Sequence, residues 1–149
     1  MDALGKIYNV VSIVTINSNG TLNGITVAWI TRVSIKPPMI AISIGKQRYS
    51  YELLENIDKF GVCILSKEQK DLAKLFGSKS GRNVNKFENV DFELTKNGIP
   101  KIKNIVAFFE CKIVNKADAG DHVIYIGEVI NQEILKTDTP LLYGEHKLM

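Results

Sequence analysis

The sequence predicts a mainly β fold, a barrel with short helical additions. Three observations predict it. β-branched residues run in short stretches through most of the chain, Gly, Asn and Pro punctuate them, and only two segments carry a helical spacing of apolar residues. With 149 residues the chain suits a single domain, 1–149, with a sizeable core.

Residues 8–16 read as a strand through Val10, Val11, Ile13, Val14 and Ile16. Asn17-Ser18-Asn19-Gly20 follows, and Asn-Gly is a strong hairpin signal because both residues tolerate positive φ. A second such pair, Asn23-Gly24, lies just beyond. Residues 25–33 predict another strand, holding the single Trp, Trp29. Pro37-Pro38 breaks the pattern, since proline cannot donate to a ladder. Residues 39–44 form a short apolar strand ending at Gly45. Ser50 is placed to cap a helix through Leu53, Leu54 and Ile57. Residues 60–65 return to strand. Ser66 and Gln69 fit a capping box, leading into a helix with Leu72, Ala73, Leu75 and Phe76. Residues 77–85 are polar and Gly/Ser-rich, a loop. Residues 105–114 alternate as a strand, 117–121 form a turn, and 122–134 form a long strand.

Composition excludes several classes. The 19 basic and 16 acidic residues leave a net +3, which suits an anionic ligand but not nucleic acid, where basic residues cluster in a stripe. No apolar run reaches the ~20 residues of a membrane helix. The N-terminus lacks the basic and apolar regions of a signal peptide. Cys63 and Cys111 lie in apolar stretches without metal-type spacing, as two buried reduced thiols of a cytoplasmic protein would. His122 and His146 have no metal-ligand partners at the usual spacing. Nucleophile-elbow, P-loop and dinucleotide-binding glycine motifs are all missing. An enzyme built from this chain needs a cofactor for the hard chemistry.

Four stretches could carry a ligand, each with a plainer alternative. Gly45-Lys46-Gln47-Arg48-Tyr49-Ser50 leads from a strand into a helix, and a helix N-terminus with Lys46, Arg48 and the Ser50 hydroxyl can hold a phosphate. Alternatively Ser50 only caps, the cations face water, and Glu52 occupies the dipole. Ser78 to Phe87 is a cationic, hydroxyl-rich loop, either a lid or a solvated surface. Trp29 is a cofactor contact or core. His122 is a site residue or a turn residue.

In their order and spacing these stretches resemble the flavin reductase-like family, the FMN-binding split barrels. The carriers are Asn23-Gly24-Ile25-Thr26-Val27-Ala28-Trp29-Ile30-Thr31, Val33-Ser34-Ile35-Lys36-Pro37-Pro38, Lys46-Gln47-Arg48-Tyr49-Ser50, Ser80-Gly81-Arg82 with Lys86-Phe87, Gly120-Asp121-His122, and Pro140-Leu141-Leu142-Tyr143. The resemblance implies a split β-barrel holding FMN. Thr26, Val27, Ala28, Trp29, Ile30 and Thr31 would run beside the isoalloxazine ring, with Ser34 adding a contact. Lys46, Arg48 and Ser50 would receive the ribityl chain and phosphate. Ser80, Gly81, Arg82 and Lys86 would close over the flavin. His122 would stand at the open face as the catalytic residue, where a nicotinamide stacks. The implied function is an NAD(P)H:flavin oxidoreductase, a homodimer passing electrons to a redox protein or monooxygenase partner. The alternative is a flavoredoxin-like FMN electron carrier that does not oxidise NAD(P)H directly.

Overall fold

The structure, a computed structural model, describes residues 2–149. Its first hairpin is set by the Asn17–Gly20 turn. Asn19 (φ 51°) and Gly20 (φ 94°) are both left-handed, as a type I′ turn requires. Asn17 Oδ1 accepts from the Gly20 N–H at 2.7 Å. The turn joins β2 (Ser12–Ser18) to β3 (Thr21–Val27), after a short β1 (Asn9–Val10). Asn23-Gly24, a second possible turn, lies inside β3. A Cβ at Gly24 would meet the Phe76 ring at 2.8 Å, so this glycine serves packing.

The expected strand over 25–33 divides into β3 and β4 (Ile30–Ser34). The physical reason is a change of partner. β3 pairs with β2, whereas β4 pairs with β5 (Met39–Gly45), and Ala28 and Trp29 belong to neither ladder. The other long elements are β6 (Lys59–Ile64), β9 (Ala107–Ala119) and β10 (His122–Ile134). Together they make a seven-stranded antiparallel sheet in the order β3-β2-β6-β9-β10-β5-β4, with β3 and β4 at its two edges. The fold is thus mainly β, as expected.

Two helices complete the frame. Helix α1 (Tyr49–Leu54) starts two residues earlier than expected, with Arg48 at the N-cap position and no side-chain cap. Ser50 is not the cap. Its hydroxyl is drawn inward and accepts from Asn23 Nδ2 at 2.9 Å. A 3-10 turn, entered through the Gln69 Oε1 contact with the Ser66 N–H at 3.1 Å, leads into α2 (Lys70–Ser78). Helix α2 therefore includes Gly77 and Ser78, which composition alone assigns to the following loop. Their helical ends are held by Arg48 Nη2 on the Gly77 carbonyl at 3.2 Å and by Ser78 Oγ on Lys74 O at 2.7 Å. Strand β9 runs on to Ala119, so the turn before His122 shortens to Gly120-Asp121. Short pairs β7 (Phe92–Leu94) with β8 (Pro100–Ile102), and β11 (Leu142–Gly144) with β12 (Lys147–Leu148), lie outside the main sheet.

The core has two parts. Val14, Ile16, Ile25, Ile42, Phe60 and Val62 pack on one face of the sheet. Val11, Ile13, Cys63, Leu65, Phe76 and Ile99 pack on the other, under α2 and the 87–106 segment. This explains why β2 is buried on both faces rather than alternating with solvent. Cys63 and Cys111 are free and buried, and burial pushes both thiols up to about 12, too high for thiolate chemistry at neutral pH.

Candidate active site

A cavity of about 550 Å³ lies where three elements converge, within the range of small-ligand sites. Its first wall is the segment Ile25 to Trp29, where the chain passes from β3 toward β4. Trp29 O accepts from the Ser43 N–H at 3.1 Å, fixing the segment against β5. The second wall is the end of β5 with its turn, from Ser43 to Arg48. The third is the tip of the β9–β10 hairpin, Asp121 and His122, together with Gly77 and, from the C-terminal segment, Tyr143 and Leu148.

The tip is held firmly. His122 pairs with Gly45 on one side and Ala119 on the other. The Lys46 N–H donates to Asp121 O at 3.0 Å. Trp29 and His122 bring their ring centroids to 4.7 Å at a tilt of 41°. Asp121 Oδ1 stands 2.7 Å from His122 Nδ1. This contact holds the Asp121 carboxyl below the usual carboxylate range and favours the imidazole tautomer with its proton on Nδ1.

At the other end the cavity is cationic. Lys46 pairs with Asp118, an acid that remains largely exposed. Arg48 has no carboxylate partner among the described residues, and its guanidinium rests on the Gly77 carbonyl. One mouth therefore joins a basic end to a pair of flat rings.

Residues 4–149 match the family described as flavin reductase like domain. The chain belongs to this family. Among curated relatives it is similar to the ferric-chelate reductase (NAD(P)H) of Archaeoglobus fulgidus, 30% identical over all of this chain and 89% of the relative. It is similar also to a flavin reductase of Pseudomonas putida, 32% identical over 90% of this chain and 77% of that one. Among solved structures, the NADH:FAD oxidoreductase SgcE6 of Streptomyces globisporus C-1027 superposes with a TM-score of 0.92, at 30% identity, over 98% of this chain and 87% of that one. The same oxidoreductase in complex with NAD and FAD fragments superposes with a TM-score of 0.91.

In this member of the flavin reductase-like family the site residues named from sequence fall into four groups. Thr26, Val27, Ala28, Trp29, Lys46, Arg48 and His122 share the cavity. Ile30 and Thr31 line a neighbouring apolar cavity of about 620 Å³ that shares Trp29, Ser43 and Tyr143 with the first. Ser34 ends the edge strand β4. The remaining residues lie apart from the main cavity. Ser50 is buried on Asn23. Gly81 and Arg82 line a separate depression with Thr21 and Asn85. Arg82 is paired with Glu52 and sits 5.1 Å from the Tyr49 ring. Ser80 turns back to accept from the Arg82 N–H. Lys86 is 4% exposed and donates to Gly24 O at 2.8 Å and Phe76 O at 3.1 Å.

Sequence reasoning assigned no role to Ser43, Gly45, Gly77, Asp121 or Leu148, which also border the cavity. Gly45 closes an apolar strand just before two cations, yet nothing in its surroundings demands a glycine. A Cβ there would meet Arg48 Cγ at 3.4 Å and His122 Nε2 at 3.7 Å. Leu148 carried no signal, because it arrives through strand pairing at the far end of the chain.

Proposed function

We propose that this protein is an NAD(P)H:flavin oxidoreductase that holds FMN in the cavity bordered by Trp29, Arg48 and His122. One observation carries the reading: a single mouth of about 550 Å³ places a cationic end beside two rings 4.7 Å apart. The relatives named above are reductases, and their chemistry agrees with this geometry.

The residues present fit the cofactor. Lys46 and Arg48 suit a phosphate, since charge-assisted bonds to phosphate are strong and directional. Trp29 O is taken by the Ser43 N–H, but the Ala28 peptide group and the Trp29 N–H lie outside both ladders and need partners from elsewhere, which suits the polar edge of an isoalloxazine. The apolar side chains of Val11, Ile25 and Val27 suit its rings. FMN, when bound, supplies the acceptor for the hydride that a reduced nicotinamide gives up. The chain's own work is to position and to shield. His122, oriented by Asp121, presents a flat imidazole where a second ring can lie. Trp29 leans on that imidazole and extends the same margin. A protein acceptor, such as another redox protein or a monooxygenase, would reach the same mouth, where Trp29 keeps 56% of its surface exposed.

Anaerobic mixing of the FMN-loaded protein with NADH or NADPH tests this reading. The flavin absorbance should bleach within seconds to minutes, and persistent colour would instead identify an electron carrier. His122→Ala should slow the bleaching about tenfold or more, the usual cost of losing a positioning contact, while FMN affinity stays within about twofold. Equal rates would remove His122 from the reaction.

The assembly we propose is a cytoplasmic homodimer of single-domain chains. Leu4, Ile7, Val33 and Ile35 are exposed around the unpaired edge of β4, and open apolar edges are normally covered. No described helix is long and apolar enough to cross a membrane. Sedimentation should give twice the 16.6 kDa chain mass, and a monomer at micromolar concentration would overturn the dimer.

A further inference from the structure

Helix α2 ends on two cations that no carboxylate neutralises. Arg48 takes the Gly77 carbonyl at 3.2 Å, and Lys86 takes the preceding Phe76 carbonyl at 3.1 Å. Lys86 also takes Gly24 O on β3 at 2.8 Å and lies 5.9 Å from the Phe76 ring. Neither cation has a carboxylate partner among the described residues. Of the other three cations of these stretches, Lys46 pairs with Asp118 and Arg82 with Glu52, while Lys79, next to the helix end, has no carboxylate partner among the described residues either. A helix C-terminus with exposed carbonyls accounts for part of this placement. It does not account for burying an ammonium that is only 4% exposed beside a guanidinium, because unpaired buried charge is costly.

We propose that Lys86 is a positioning residue that binds a proton together with the flavin phosphate: it never touches the ligand, and its charge strengthens the phosphate end of the cavity from behind the α2 terminus, next to Arg48. The proposal rests on the reading that this cavity holds FMN.

The physical case is one of linkage. Burial, and after it the charge of Arg48, bring Lys86 down to about 8. The charged group that faces Lys86 is therefore Arg48, which holds the neighbouring carbonyl of the same helix end. Placing an anion on Arg48 removes the repulsion and favours the protonated amine. By reciprocity the proton favours the anion equally. An uncharged amine still carries two N–H groups for the Gly24 and Phe76 carbonyls, so the clamp survives deprotonation while the charge does not. The sign for the free protein is opposite. A lysine whose folded value lies below its unfolded one contributes stability that is present above about 10 and is lost as pH falls through about 8. Raising the pH thus stabilises the empty protein through this group and loosens phosphate.

Calorimetry in two buffers of different ionisation enthalpy tests the idea on the full chain, with FMN and with riboflavin, which lacks the phosphate. A tenfold coupling gives an uptake of about 0.4 proton per FMN at pH 8 and none for riboflavin. The ratio of FMN to riboflavin affinity should fall about tenfold from pH 7 to pH 10. Lys86→Gln, which keeps N–H donors for the two carbonyls, should abolish the uptake and show at pH 7 the ratio that wild type shows at pH 10. Lys86→Met serves if the glutamine variant fails to fold. FMN binding without uptake, or uptake that persists in either variant, overturns the proposal. Absence of any flavin binding overturns the cofactor reading instead.

Discussion

Arg48→Glu is expected to lower FMN affinity at least about a hundredfold while changing riboflavin affinity far less. The substitution removes a charge-assisted donor worth about 1.5–3 kcal/mol and places an anion against the incoming phosphate. It also breaks the bond to Gly77 O, so some cost to the α2 terminus is built in. Riboflavin separates the two effects, because it feels the wall but carries no phosphate. Trp29 provides the readout. It is the only tryptophan and borders the cavity, so a bound flavin should quench its emission. An equal loss for both ligands would mean that Arg48 acts only by holding the helix. An unchanged FMN titration would remove it from the site.

Glu110→Ala should be the most damaging substitution outside the cavity, destabilising the protein by about 3–5 kcal/mol. Glu110 is fully buried in β9. Its Oε1 accepts from Thr95 Oγ1 at 2.5 Å, and its Oε2 accepts from Asn97 Nδ2 at 2.6 Å and Asn131 Nδ2 at 3.2 Å. One carboxyl thus ties the β7–β8 turn to the middle of β10. Removing it leaves three polar groups without their partner inside the fold. For a chain of this size the melting temperature should fall by about 10 °C, measurable by calorimetry. A drop under 2 °C would show that water replaces the carboxyl at little cost.

Much of the frame was legible because local chemistry and tertiary structure agree there. The Asn17–Gly20 turn demanded positive φ and has it. Strand β10 spans His122–Ile134, the bounds that its run of strand-forming residues implies. Partner exchange was not legible. The run from Ile25 to Val33 is continuously strand-forming, and nothing local says that its two halves pair with β2 and β5 separately. Yet that break creates the Ala28–Trp29 wall. Side-chain destinations were also hidden. Ser50 and Lys86 have the right types for phosphate contacts, but Asn23, Gly24 and Phe76, distant in sequence, draw both inward. Within the cavity, Lys46, Arg48 and His122 were found because a strand feeding a helix and a two-residue turn leave little freedom about where they point.

The passage from β3 to β4 also bears on how such chains diverge. A margin made largely of peptide units exposes the same donors and acceptors whatever side chains hang from it. Mutations there alter shape and hue of the pocket without erasing its grip. Descendants can therefore exchange two residues in three, as the 30% identity at a TM-score of 0.92 illustrates, and still inherit one architecture. The indole of Trp29 hangs from that rim, so exchanging it alters what the opening admits while the peptide units behind it stay in place.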